Sequence, residues 1–353
     1  MRKLYEIYTV ISNKAKRKGC FIPLTCFCIF TIAGFAACSS DRAGKVNDKT
    51  QLESGDIDHE DFVHLISEED MIGDIEYLSK EPRAIDTKAI DLIQKYIESE
   101  LTQMDYKVDQ QPFYYTDERN AKSLESRSNL DLYLEGAFTN NKSDKKGVNL
   151  IAESGKGSRD KTLIISAHYD TGTDSVGAND NGSGVAILLQ TAKILSETEL
   201  PYNLRFLFFS GEEAWFLGSR YYVANLSDVE RKNILGVINV DTVAEKSDLG
   251  YWVLVGEGEQ VTDEEGGPEY RPVENDMSNL FTSNERFDLV CQMNSDHYPF
   301  SQAGIPAISI VQDMSNELKA NSCGDTVETI DPKRLEEVAF MLLESVYKFS
   351  GRN

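Results

Sequence analysis

The chain has 353 residues, with 36 Lys and Arg against 59 Asp and Glu, a formal net charge of −23. That length holds one large domain or two small ones around a substantial core, and nothing in the composition reads as disordered throughout. So acidic a chain repels nucleic acid and anionic lipid, and no basic patch argues for a nucleic-acid partner.

Residues 1–37 differ from the rest. Lys14, Lys16, Arg17 and Lys18 precede an apolar run from Cys20 to Ala37, broken only by Pro23, two threonines and Gly34. That is the layout of an export signal. The run ends in Gly34-Phe35-Ala36-Ala37-Cys38-Ser39-Ser40, which resembles a bacterial lipobox, where a cysteine after small residues is acylated and becomes the new N-terminus. It is short for a membrane span of ~20 residues. Residues 1–37 are therefore expected to be a lipoprotein signal peptide and Cys38 the lipidated residue, leaving the protein exported and lipid-anchored to a bacterial membrane, periplasmic or facing the outer membrane.

Losing that segment removes six of the 36 Lys and Arg and one of the 59 Asp and Glu, leaving 30 against 58, a net charge of −28. Cys20, Cys26 and Cys28 leave with it. Of six cysteines only Cys291 and Cys323 then remain as thiols, without zinc-finger spacing; in an oxidising compartment they either pair or stay reduced.

Residues 38–61 are polar and expected to form a flexible spacer, with one folded domain over 62–353. Helical spacing follows twice, in Met71, Ile72, Ile75 and Leu78 and again in Ile90, Leu92, Ile93, Tyr96, Ile97 and Leu101. Strands are predicted at 147–152, 162–166, 204–209, 235–240, 251–255 and 307–311, and helices near 183–196, 218–224 and 332–349. Such alternation implies an α/β sheet with helices on both faces. The acidic, glycine-rich stretch from Gly256 to Pro272 reads as an exposed loop.

Polar clusters follow the buried strands. The strand at 162–166 runs into Ala167-His168-Tyr169-Asp170, and Asn179-Asp180-Asn181 lies just before a helix. The strand at 204–209 runs into Ser210-Gly211-Glu212-Glu213, and the strand at 235–240 into Asp241. Ligand sites in open α/β sheets gather above the carboxyl ends of strands. One imidazole and several carboxylates there would repel one another without a positive centre, and a divalent metal is the natural occupant. Two metals would need a shared carboxylate, a part that suits Asp180; if Glu213 binds metal, its neighbour Glu212 can act as general base and then general acid.

These four segments, with Leu78-Ser79-Lys80-Glu81-Pro82-Arg83 upstream and Ser295-Asp296-His297-Tyr298-Pro299-Phe300 downstream, resemble the co-catalytic zinc exopeptidase family of secreted bacterial leucyl aminopeptidases, glutamate carboxypeptidases and glutaminyl cyclases. The resemblance covers nearly all of the mature chain. It implies a single-domain, three-layer α/β fold, helix/mixed β-sheet/helix, of the phosphorylase/hydrolase-like kind. It further implies that His168 and Asp241 bind one zinc, Glu213 the other, that Asp180 bridges them, and that Glu212 is the base. Asp170 would orient the His168 imidazole, and Asp296 would hydrogen-bond near the base or the substrate amine.

One position departs from the pattern. The family's last ligand is a histidine opening a His-Thr-x-x-Asp-Thr segment; here the matching stretch is Asn321-Ser322-Cys323-Gly324-Asp325-Thr326. An amide oxygen is a poor zinc ligand beside imidazole, so one zinc site is expected to be secure and the second weakened. His297 is the obvious substitute ligand, although the family often carries a histidine at that position without using it on metal, and the Cys323 thiolate is a further option. The implied activity is a metal-dependent exopeptidase of aminopeptidase type acting on peptides; the alternatives are a single-zinc glutaminyl cyclase and a catalytically impaired peptide-binding homologue. Nothing in the sequence sets an oligomeric state.

Overall fold

The computed structural model describes residues 62–116, 138–154, 160–262, 268–315 and 319–350, all within one unit, Asp56–Asn353. The signal segment, Cys38 and the spacer lie outside them. Helices α1 (Glu68–Leu78) and α2 (Lys88–Gln103) come first, started by Ser67 and Thr87, whose side chains accept the backbone N–H of Asp70 and Ile90. Met71, Ile75 and Leu78, then Ile90, Ile93, Ile97 and Leu101, form the buried stripes. Leu92, expected with them, is instead 54% exposed, because at 3.6 residues per turn it falls opposite Ile90 and Ile97.

Eleven strands follow among the described residues: β1 (Lys107–Tyr115), β2 (Phe138–Thr139), β3 (Lys145–Glu153), β4 (Thr162–His168), β5 (Asn203–Phe209), β6 (Ile234–Val240), β7 (Tyr251–Val255), β8 (Gly258–Thr262), β9 (Pro268–Pro272), β10 (Phe287–Cys291) and β11 (Ala307–Gln312). The remaining helices are α3 (Gly184–Leu195), α4 (Leu217–Ala224), α5 (Asp228–Asn233), α6 (His297–Gln302) and α7 (Pro332–Ser350). Nine strands make one sheet in the order β10-β7-β11-β6-β4-β5-β3-β1-β2. Its centre, β11-β6-β4-β5, is parallel, with antiparallel pairing at β11–β7, β5–β3, β3–β1 and β1–β2. The sheet is therefore mixed.

Leu163, Ile165 and Ala167 of β4 pack on one face with residues of α1, α2, α3 and α7, and Ile164 packs on the other with Tyr222 and Val223 of α4 and Phe300 of α6. Burial of both faces explains why β4 to β6 read as nearly continuous apolar runs. The stretch expected to be a loop contains the hairpin β8–β9, antiparallel from Gly258↔Pro272 to Thr262↔Pro268. No disulfide joins Cys291 and Cys323. Among the described residues no helix is long and apolar enough to cross a membrane.

Candidate metal centre

Because β4, β5 and β6 are parallel, the residues at or just beyond their carboxyl ends, His168, Glu212 and Asp241, meet above one edge of the sheet. Their ligand-capable atoms lie within 4.8 Å of one another, the one such group among the described residues. His168 Nε2 stands 3.3 Å from Asp241 Oδ1 and 3.3 Å from Asp180 Oδ1. Its Nδ1 faces the Asp170 backbone carbonyl at 3.2 Å and the Asp170 carboxylate at 3.6 Å. Such an arrangement leaves Nε2 turned toward the acids.

Asp170 does a second job. Its two oxygens accept the backbone N–H groups of Glu212 at 3.1 Å and Glu213 at 3.3 Å, so the loop after β5 is tied to the loop after β4. That loop turns sharply, with positive φ at Gly211 (84°), Trp215 (78°) and Phe216 (60°). Asp241 is held by Ser295 Oγ at 2.6 Å and Thr242 Oγ1 at 2.9 Å. Ser295 in turn accepts from Asn239, whose amide oxygen takes the Ser166 hydroxyl, so buried polar side chains on β4 and β6 position the carboxylate.

Asp180 lies in a kinked segment, Ala178–Ser183, with a cis peptide to Asn181. Asn181 donates to the Val240 carbonyl at 2.8 Å, and Asn179 Oδ1 accepts from Ala244 N at 2.7 Å, which sets the loop against the chain leaving β6. Gly177 enters it at φ 60°, where an added Cβ would stand 2.3 Å from the Asp180 carbonyl oxygen.

Two residues quoted from the sequence without a role prove structural to the site. Arg83 is fully buried, and its guanidinium donates to the carbonyls of Tyr169, Leu78, Val176 and Gly177. Asp325 accepts the backbone N–H of Asn179 and of Asp180. A charge directly after proline and an acid at the end of the degenerate segment were the signals available.

His297 lies outside the convergent group. It is buried with Nε2 3.0 Å from the Gln292 carbonyl, and burial lowers it to about 4. Glu213 is also outside the group. Asp296 is fully buried; Ser219 donates to its Oδ1 at 2.5 Å while Oδ2 has no partner. Asn321 is exposed. Tyr298 is half-buried, its hydroxyl accepting from Gln302, and Trp215 is 36% exposed.

The electrostatics suit a bound cation. Burial pushes Glu212 and Glu213 well above the usual carboxylate range, helped by Asp241 on the first and Asp180 on the second. Burial also pushes Asp296 up to about 7. For His168 burial opposes the proton, but Asp241 and Glu212 outweigh it and raise the imidazole well above its ordinary value. Burial opposes the charge on Asp241 too; His168, Ser295 and Thr242 outweigh it and hold this carboxyl low. Glu213 Oε1 and Asp296 Oδ2 are buried without a hydrogen-bond partner. An imidazole nitrogen with carboxylate oxygens is a zinc donor set, and a divalent ion held there would offset the repulsion among these acids.

Fold and site together define an α/β protein with a buried candidate metal centre at the carboxyl edge of its sheet. Residues 149–346, more than half of the chain, match the model of Peptidase family M28, and the chain belongs to that family. Aminopeptidase YwaD of Bacillus subtilis is 29% identical over 197 residues, 53% of this chain and 40% of that protein. Probable lipoprotein aminopeptidase LpqL of Mycobacterium tuberculosis is 32% identical over 169 residues, 46% of this chain and 34% of that protein. The chain thus spans less than half the length of these curated relatives. The solved structure of BSAP, a zinc aminopeptidase from Bacillus subtilis, aligns with a TM-score of 0.65 at 19% identity, over 80% of this chain and 95% of that one, a likeness of fold.

Proposed function

We propose that the protein is a zinc-dependent exopeptidase that removes N-terminal residues from peptides. The observation that carries this reading is the convergence of His168, Glu212 and Asp241 within 4.8 Å, with Asp180 against the same imidazole. His168, Asp180 and Asp241 would hold the ion. Zinc bound there would supply a Lewis acid for the scissile carbonyl and make a nearby water easier to deprotonate.

The chain's own residues do the rest. Glu212 is partly buried beside His168 and Asp241, and burial raises the proton affinity of its carboxylate, so the ionised form can take a proton from the attacking water and return it to the leaving amine. Asp170 keeps Glu212 in place by accepting its backbone N–H, and it faces His168 Nδ1, the ring nitrogen opposite the one that meets Asp180 and Asp241. Ser219 fixes one oxygen of Asp296 and leaves the other turned loose in the buried site, a position suited to a substrate N–H.

The export reading is part of the same proposal: residues 1–37 as signal peptide, acylation at Cys38, and residues 38–61 as a tether to the membrane. The similarity to a protein described as a lipoprotein aminopeptidase supports it. Fatty-acid labelling of the full chain, lost in Cys38→Ser, tests it.

The activity is tested by assaying zinc-loaded protein on aminoacyl-anilides and on peptides with N-terminal glutamine. Release of the anilide is expected. Consumption of the glutamine peptides alone would favour cyclisation. No turnover of either, in the wild type and in Asn321→His, would sink the enzyme reading.

A further inference from the structure

The acidic cluster is lopsided. Its single imidazole serves one end, where His168 Nε2 stands 3.3 Å from both Asp180 and Asp241. At the other end Glu213 Oε1 is buried and unpartnered, with Asp180 the neighbouring acid that acts on it most strongly. Two carboxylates are a thin ligand set for zinc, which takes four donors in its usual sites.

Asp325 and His297, which could complete it, are otherwise engaged. Both oxygens of Asp325 accept backbone N–H groups, from Asn179 and Asp180. His297 Nε2 is on the Gln292 carbonyl. Asn321 is exposed, with its Oδ1 lying 3.2 Å from where a Cβ on Gly172 would sit. Its backbone is left-handed, φ 55°, a conformation asparagine tolerates better than most residues, so loop geometry accounts for the residue without any metal.

A buried carboxylate oxygen still calls for a positive donor. A primary ammonium supplies charge and three N–H groups in a compact head, without the geometry a metal demands. We infer that this chain binds one divalent ion, at the His168 end, and that Glu213 receives the α-ammonium group of the substrate where a second ion would otherwise sit. The source of that ammonium rests on the exopeptidase reading above; the binding itself does not.

The test counts zinc per chain by native mass spectrometry on stripped and reloaded full chain. It then titrates leucinol and N-acetyl-leucinol, both of which carry a CH2OH group in place of the aminoacyl carbonyl that an aminopeptidase attacks, into the zinc-loaded protein by calorimetry. One zinc per chain is expected, with leucinol binding about 10- to 100-fold tighter than its acetylated form, the loss of one charge-assisted contact. Glu213→Gln should keep the zinc and lose the preference. Two zinc ions per wild-type chain, equal binding of the two alcohols, or loss of the only zinc in Glu213→Gln overturns the inference, and the first two need no variant to fold. A protein with one zinc and a leucinol preference that cleaves no peptide upholds the inference and sinks the exopeptidase reading. Peptide cleavage with two zinc ions does the reverse.

Discussion

Asp325 accepts the backbone N–H of Asp180 at 2.9 Å, and its second oxygen takes the neighbouring N–H of Asn179 at 2.7 Å. One carboxylate thereby sets the loop that aims Asp180 at His168. Burial outweighs these two donors and pushes Asp325 up to about 6, so it is ionised at neutral pH at some cost. Asp325→Ala should lower stability by about 2–4 kcal/mol, because two buried N–H groups lose a charged acceptor. Zinc affinity should fall about 10- to 100-fold, the usual scale for a residue that orients a ligand. Asp325→Asn keeps one acceptor and should fall between. Urea denaturation and competition with a chelator measure both; unchanged zinc affinity in the alanine variant would show that the loop is set elsewhere.

Glu212→Gln separates a base from a ligand. If Glu212 moves the proton, the variant keeps its zinc and loses about 10²- to 10⁴-fold in kcat. Turnover of the wild type should rise with pH as Glu212 gives up its proton, since burial holds that proton on beyond the usual carboxylate range. Loss of zinc together with activity would assign Glu212 to the metal instead.

Arg83 joins the end of α1 to both sides of the loop between His168 and Asp180. Its Nε donates to Tyr169 O at 2.8 Å, Nη1 to Leu78 O at 3.2 Å and Val176 O at 2.5 Å, and Nη2 to Gly177 O at 2.9 Å. Burial lowers its pKa to about 10, with Asp170, Asp325 and Asp180 opposing the drop, and it remains a cation at neutral pH. Arg83→Met should cost about 3–5 kcal/mol, because four buried carbonyls lose their donor and the acids lose a counter-charge. Arg83→Lys restores charge but not the planar fork and should recover only part. Equal stability of the methionine variant and the wild type in denaturant would remove Arg83 from this role.

Strand-end placement and periodicity are enough to find β3 to β6, α3 and the chemistry at their ends, because those segments are apolar on both sides and abruptly polar afterwards. β1 escapes such a reading: it is largely polar and carries Pro112, tolerated because only the two-residue β2 lies outside it. The hairpin β8–β9 escapes for a similar reason, since its ladder lies outside the main sheet and needs no apolar alternation. Arg83 and Asp325 are legible as charges but not as anchors, because their partners lie 86 and 145 residues away along the chain. His297 looks like a spare ligand until its ring is seen against Gln292, a contact that depends on how the chain turns between β10 and α6.

Asp74 allows a pH test remote from the metal centre. Tyr96 Oη donates to its Oδ1 at 2.5 Å, yet burial outweighs that bond and pushes Asp74 up to about 6. In the unfolded chain the same group titrates near ~3.9. Between these values the native state holds a proton that the unfolded state has lost, so this residue's contribution to stability is greatest at low pH, declines as pH rises to about 6, and is flat above. The change should be about 1–2 kcal/mol after allowance for partial exposure. Asp74→Asn should remove that slope, read as the difference in urea-unfolding free energy between wild type and variant at pH 4.5 and pH 7. Parallel curves for the two proteins would contradict the assignment.

Gly184 opens α3 directly against the end of β6. An added Cβ would stand 2.4 Å from the Val240 carbonyl oxygen and 2.4 Å from Asn181 Oδ1. Neither neighbour can swing aside freely: Asn181 Nδ2 donates to that same carbonyl at 2.8 Å, and its Oδ1 accepts from Gly184 N at 2.9 Å. Helix propensity alone favours alanine over glycine by about 1 kcal/mol. The overlap with a strand carbonyl should win, because relieving it means moving either the helix or the strand, at about 1–3 kcal/mol net. Val240 leads straight into Asp241, so the displacement reaches the metal centre, and Gly184→Ala should weaken zinc binding as well as lower the unfolding temperature. A variant that melts at or above the wild-type temperature with zinc affinity intact would mean the helix start yields without disturbing the strand.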